Sequence, residues 1–266
     1  MNDIVSIGTV PWTDDDIRES YAEFTMLYAA RPIADNANGM RAPHAFGTWF
    51  MLRALQPDLI IESGVWRGLG TWLIAEACPD AELICLDVDF APLTYRAPRA
   101  EYRKEDFSIV DFSDRDLSNA LCFFDDHQDA LMRLQQMRWK GFRQAIFEDN
   151  YPQRHGDCYS LKKMWGGHGL QVVGRFKPSL LARLRGVMEP AREEIAPNLT
   201  HRTELMAQLA RYYEFPPLFR IETTRWGDPW SDVDFPTRPP IFGSEVEDDL
   251  RAEAKFYTWM CLVDLK

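Results

Sequence analysis

Two short apolar runs in the middle of the chain each end in a pair of acids. The first reads Cys122-Phe-Phe-Asp125-Asp126-His127-Gln128 and the second Ile146-Phe-Glu148-Asp149-Asn150-Tyr151. One helical stretch, Asp129 to Trp139, separates them, as in a right-handed parallel crossover. Neighbouring strands lie about 4.8 Å apart, so both acid sets are expected at one sheet edge. Four carboxylates that close repel one another unless they are protonated or neutralised. A hard cation such as Mg²⁺ takes oxygen ligands and would neutralise them. The competing use of strand-end acids is capping helices and bonding loop backbone. His127 is the expected catalytic base, because an imidazole titrates near neutrality, with His44, His155 and His168 as competitors.

A glycine loop follows an earlier run. Leu59-Ile60-Ile61 leads into Glu62-Ser-Gly64-Val-Trp-Arg-Gly68-Leu-Gly70-Thr71. Glycines let backbone approach a ligand, and the N-terminus of the next helix offers free N–H groups. The spacing is GxxxGxG rather than the GxGxxG that aims a helix at a pyrophosphate. Glu62 would repel a pyrophosphate but suits a ligand carrying an amine. Asp87 ends the following strand, where a carboxylate can accept both hydroxyls of a ribose, and Asp89 is the fallback. An amine and a ribose without phosphate describe S-adenosylmethionine. A glycine-rich turn with no ligand is the plain alternative.

The elements that must position these residues alternate. Strands are expected at 59–62, 82–87, near Tyr102, at 120–124 and at 144–147, with helices at 71–77 and 129–139. Short apolar strands alternating with helices predict an α/β fold with a parallel sheet covered on both faces. Two helices, Thr13 to Ala30 and His44 to Leu55, precede this core. After Tyr151, helices are expected at Pro178 to Met188 and Arg202 to Tyr213, and a last, edge-side strand between Phe256 and Val263. The stretch Phe215 to Phe242, rich in proline and tryptophan, reads as an ordered loop wall.

Ile60-Ile-Glu-Ser-Gly-Val-Trp-Arg-Gly68 resembles the first motif of class I S-adenosylmethionine-dependent methyltransferases, and Leu86-Asp87 the second. The resemblance covers roughly Pro57 to Tyr151. It implies a doubly wound, mainly parallel Rossmann-like methyltransferase sheet with N-terminal helices and a C-terminal helical and loop cap. It also implies that Glu62, Gly64, Gly68 and Asp87 bind the cofactor, and that Asp106 lies where the family contacts the adenine amine. The acid cluster resembles that of a narrower group, the macrocin O-methyltransferases and their cephalosporin hydroxylase-like and rhamnosyl O-methyltransferase relatives. In that group an Asp after the fourth strand and an acidic pair after the fifth hold Mg²⁺. Carried over, the ligands are Asp125, Glu148 and Asp149, with Asp126 as the substitute for Asp125. The chain departs from the group's pattern at Asp125-Asp126-His127-Gln128.

Bulk properties bound the rest. The 266 residues carry a formal net charge of −11, which argues against a broad phosphate-tracking surface and hence against nucleic acid as a partner. No apolar run approaches the roughly 18 residues of a membrane span. None of the five cysteines forms a CxxC pair and the N-terminus has no signal-peptide pattern, so a cytoplasmic location is expected. One domain is expected: 1–56 as an N-terminal helical segment, 57–151 as the cofactor core, and 152–266 as substrate-side loops, cap helices and last strands. Arg154, Lys162 and Lys163 are candidates for an anionic acceptor, and Trp226 and Trp230 for stacking on a sugar or aromatic ring. The expected activity is O-methylation of a small-molecule or sugar hydroxyl, with homo-oligomerisation left open. The rivals are a metal-free O- or N-methyltransferase and a non-catalytic S-adenosylmethionine-binding protein.

Overall fold

The computed structural model describes residues 6–168, 199–243 and 249–266. Helix α1, Asp14–Ala29, opens on a reciprocal cap: the Thr13 hydroxyl accepts the Asp16 N–H, and the Asp16 carboxylate accepts the Thr13 N–H at 2.7 Å. Helix α2, Ala42–Leu55, starts with Pro43 in its first turn, where no backbone donor is lost, and stops at Gln56 in the left-handed region. Nearly all of α2 is buried, because α1, the helix Leu69–Ala77 and the turn Asp249–Phe256 pack against it.

The core then runs β1 Leu59–Ser63, α3 Leu69–Ala77, β2 Glu82–Leu86, β3 Glu101–Arg103, β4 Ala120–Phe124, α4 Ala130–Lys140 and β5 Gln144–Phe147, with no helix between β2, β3 and β4. Next come α5 Leu161–Trp165, α6 Leu199–Gln208, β6 Leu209–Glu214, a 3₁₀ turn Asp249–Phe256 and β7 Cys261–Leu265. One seven-stranded sheet results, in the order β3-β2-β1-β4-β5-β7-β6. The first five strands are parallel, and β7 runs antiparallel between β5 and β6. This is the doubly wound, mainly parallel sheet that the sequence predicts.

Side-chain alternation divides the core in two. Ile60, Leu83, Leu121 and Ile146 face the layer that holds α1, α2 and α3. Leu59, Ile61, Ile84, Cys122 and Phe124 face the layer that holds α4. Both faces being covered is why these strands read as unbroken apolar runs. From β1 the chain builds outward to β2 and β3, then returns to β4 on the other side. That reversal leaves a crevice at the carboxyl ends of β1 and β4, where open α/β sheets bind ligands.

Two expectations need correction. The helix expected over Arg202 to Tyr213 stops at Gln208, and residues 209–214 form β6. Leu205, Leu209 and Tyr212 have helical spacing, but pairing with β7 decides, and tyrosines suit a pleated surface. The strand expected between Phe256 and Val263 begins only at Cys261 and is no edge, since β6 covers it. The helix expected over Pro178 to Met188 lies outside the described residues. Among the described residues, no helix is long and apolar enough to cross a membrane.

Candidate functional site

The crevice opens into a cavity of about 530 Å³ at the carboxyl ends of the strands. Gly64, Asp87, Asp106, Asp125, His127, Glu148 and Asp149 all line it, together with Ser63 and Asp126. Five separate strand ends thus contribute to one space.

The glycine loop is shaped by contacts with its neighbours. Gly64 has φ +92°, and a Cβ there would collide with the Asp125 carbonyl, so the turn after β1 lies against the turn after β4. Asp125 donates its N–H to the Ser63 carbonyl at 2.9 Å, which extends the ladder into this junction. Gly68, at φ +95°, caps α3, and a Cβ would strike the Tyr95 carbonyl. Asp87 clasps the loop: its Oδ2 accepts the N–H groups of Val65 at 2.9 Å and Trp66 at 3.0 Å. Its Oδ1 accepts the Asp89 N–H at 2.9 Å.

Glu62 and Gly68 do not line the cavity. Strand alternation puts Glu62 on the α3 face with Ile60, opposite Cys85 in register. There its carboxylate accepts the Thr71 hydroxyl at 2.5 Å and the Cys85 thiol at 3.2 Å, while Oε1 has no partner. Burial pushes this carboxyl up to about 7, against the two hydrogen bonds. The structure therefore places Glu62 beneath the helix, not toward the ligand space.

Asp106 stands after β3 and is gripped by Arg133 of α4, whose guanidinium donates to Oδ1 at 3.1 Å and to Oδ2 at 2.6 Å. The same guanidinium donates from Nε to Asp126 at 3.0 Å and forms an ion pair with it at 2.8 Å, and the Ser63 hydroxyl donates to Asp126 at 2.6 Å. The Arg133 hydrogen bonds hold the Asp106 carboxyl well below the usual carboxylate range, although burial opposes them. Asp126 is thus turned away from the acid pair, which leaves Asp125 as the carboxylate facing it. Sequence reasoning missed Arg133, but a signal existed. Residues 130, 133, 134 and 137 share one buried helix face, and a charge on such a stripe needs a buried partner.

Asp125, Glu148 and Asp149 line the same end of the cavity. Burial first, then the neighbouring carboxylates, raise the carboxyls of Asp125 and Asp149 far above their ordinary values. Burial is also the largest single influence on Glu148, but His44, the contact with Asp149 and the neighbouring His127 together outweigh it and hold that carboxyl down at about 2. Ligand atoms of Asp125, His127 and Asp149 lie within 4.8 Å of one another, and Oδ2 of Asp149 is buried with no hydrogen bond. An orphaned buried carboxylate oxygen inside an oxygen-rich cluster fits a hard divalent cation. His127 Nδ1 lies 3.0 Å from both Asp149 Oδ2 and Asp157 Oδ1. Its hydrogen bond with Asp157 and the surrounding acids push it up to about 9, although burial opposes. Nδ1 makes its hydrogen bond with Asp157, so Asp149 Oδ2 is a close neighbour of the ring without a hydrogen bond from it.

The other candidates are engaged with partners inside the protein. His44 is 1% exposed and bonds Glu148. His155 bonds Asp228 at 2.8 Å and lies against Trp226, with ring centroids 4.3 Å apart. The His168 carbonyl accepts the Tyr159 hydroxyl. Lys162 pairs with Glu214 at 2.8 Å, and Lys163 donates to the Cys158 carbonyl at 2.7 Å, so neither reaches the cavity. Trp230 stacks on Trp259 in the core. From these later segments, Tyr151 and Arg225 do line the cavity.

No family model matches the chain, and no curated protein matches it by sequence. Solved structures do. A candidate O-methyltransferase from Klebsiella pneumoniae aligns over 97% of this chain and 91% of its own at 16% identity, with a TM-score of 0.43. The O-methyltransferase TomG of Streptomyces achromogenes, involved in tomaymycin synthesis and solved with S-adenosylmethionine, aligns over 61% of this chain and 91% of its own, at 17% identity and a TM-score of 0.37. The methyltransferase PaMTH1 of Podospora anserina, bound to S-adenosylhomocysteine, aligns over 53% and 73% respectively, at 12% identity and a TM-score of 0.38. At identities this low, the site's own residues are the ground for its function.

Proposed function

We propose that this protein is an S-adenosylmethionine-dependent O-methyltransferase that holds Mg²⁺ at the acid cluster and acts on a small-molecule hydroxyl. The observation that carries the reading is one cavity shared by two unlike halves. Asp87 and the glycine loop line one half, and Asp125, Glu148 and Asp149 the other.

The methyl donor supplies an electrophilic methyl group on a sulfonium, and carries a ribose and an adenine to be recognised. Asp87 lies where β2 ends and can accept ribose hydroxyls while it clasps the loop. Asp106, held by Arg133, offers carboxylate lone pairs to an exocyclic amine. Together these fix the donor and hence the line of attack, which is worth several orders of magnitude in rate for a two-reactant step. Asp125, Glu148 and Asp149 would hold the Mg²⁺, whose chemistry is to acidify and orient a hydroxyl. His127 sits at the mouth of that cluster, its side chain 49% exposed, where a proton can pass to solvent. An added positive charge beside it would lower its affinity for its own proton, moving it toward service as a base.

Calorimetric titration with S-adenosylmethionine and S-adenosylhomocysteine tests the reading. Micromolar binding of both, competing for one site, is expected. A protein that binds neither is not a methyltransferase.

A further inference from the structure

His44 is buried at the start of α2, far in sequence from the acid cluster, yet it hydrogen-bonds one of its acids. Nδ1 lies 2.6 Å from Glu148 Oε1. The other ring nitrogen, Nε2, receives the backbone N–H of Thr258 at 2.8 Å. A nitrogen that accepts an N–H cannot carry a proton. The single proton of the neutral ring is therefore on Nδ1, and it is donated to Glu148. The ring is wedged edge-on against Tyr257, with centroids 5.8 Å apart, so its orientation is set by packing as well.

Two consequences follow from this geometry. A glutamate has three side-chain torsions, and anchoring one oxygen on a rigid buried donor removes most of that freedom. Oε1 is held by His44, so Oε2 is the oxygen free of that bond in a side chain that lines the cavity. Moreover, a neutral donor leaves the carboxylate its full charge. A lysine or arginine in the same place would neutralise the cluster and weaken its hold on a cation.

We propose that His44 is a positioning residue: its Nδ1–H holds Glu148 Oε1, so that the second oxygen faces the cation site shared with Asp125 and Asp149. The inference rests on the metal reading above. It couples α2 and the segment before β7 to the chemistry through one side chain.

The two hydrogen bonds of His44 can be separated. His44→Asn keeps a donor near the position of Nδ1 and loses the acceptor for Thr258. His44→Gln places its amide near Nε2 and loses the donor to Glu148. Mn²⁺ binding to the full chain is measured by calorimetry, with thermal unfolding and S-adenosylmethionine affinity as controls. His44→Asn is expected to bind Mn²⁺ within about threefold of the unaltered protein, and His44→Gln at least tenfold more weakly, with cofactor affinity unchanged in both. Equal weakening in the two variants, or undiminished binding by His44→Gln, overturns the proposal and leaves the metal reading standing. An unaltered protein that binds no Mn²⁺ overturns both. A measurement on the unaltered protein covers a variant that fails to fold. Imidazole ¹⁵N resonances should show His44 neutral with the proton on Nδ1, and that resonance should move when Mg²⁺ is added. An Nε2-protonated or doubly protonated ring, or a resonance indifferent to Mg²⁺, overturns the proposal.

Discussion

One carboxylate oxygen of Asp87 accepts the N–H of Trp66 at 3.0 Å, and Trp66 holds its backbone in the left-handed region at φ 44°. That conformation costs a bulky residue on the order of 1–3 kcal/mol and persists only where neighbours impose it. The Trp66 ring supplies a second constraint, since it lies so close over Gly39 that a Cβ there would meet it. Asp87 is therefore both a candidate for the ribose and the clasp of the loop that borders it.

Replacing Asp87 should consequently harm ligand binding twice over. Asp87→Ala is expected to weaken S-adenosylmethionine binding by at least tenfold, about 1.4 kcal/mol. Asp87→Asn keeps one acceptor oxygen for the loop and should lose less. Calorimetry on the two variants decides, and an unchanged dissociation constant for Asp87→Ala removes Asp87 from the ligand site.

Metal dependence should separate turnover from cofactor affinity. EDTA is expected to abolish methyl transfer and Mg²⁺ to restore it, with S-adenosylmethionine binding little altered. Glu148→Gln keeps the shape of the side chain and removes a charge, so activity should drop at least tenfold while cofactor affinity stays within about threefold. An active preparation indifferent to EDTA, with Glu148→Gln turning over normally, would return the acids to a structural role or to binding a cationic acceptor.

Glu62 makes stability depend on pH. Its carboxyl titrates near 7 in the folded protein, against an ordinary value of 4.5. Between those values the folded state keeps a proton that the unfolded chain has released, so stability falls as pH rises through this window. Glu62→Gln should flatten that slope and raise unfolding free energy at pH 8 by about 1–3 kcal/mol. Urea unfolding at pH 5 and pH 8 measures it. A slope that survives the substitution assigns the effect to another group.

Arg133 is the cation that makes Asp106 and Asp126 tolerable side by side. Its side chain is 3% exposed, and removing it strands two carboxylates. Arg133→Met should cost about 3–5 kcal/mol, as for other buried ion pairs broken on one side. The double variant Arg133→Met with Asp126→Asn should recover part of that loss in a double-mutant cycle. Strict additivity would show that the Arg133–Asp126 contact contributes nothing.

Residue type and spacing alone placed the sheet and the edge that holds the cavity. Apolar runs ending in Asp87, Asp125 and Glu148 can be read as buried parallel strands because period and burial are local properties. A chain that alternates such strands with helices has few ways to cover both faces. Other features depended on which face a side chain takes and on what arrives from far away. Its residue type points Glu62 toward the ligand, but the strand's two-residue period turns it under α3, a matter of phase that only pairing with β2 settles. Asp125 and Asp126 are adjacent and alike in sequence, and Arg133 and Ser63 draw one of them aside. Likewise, His44 meets Glu148 across 104 positions of chain. Hydrogen bonds of that reach leave no periodic trace in a sequence, because they exist only once the N-terminal helices have closed over the sheet.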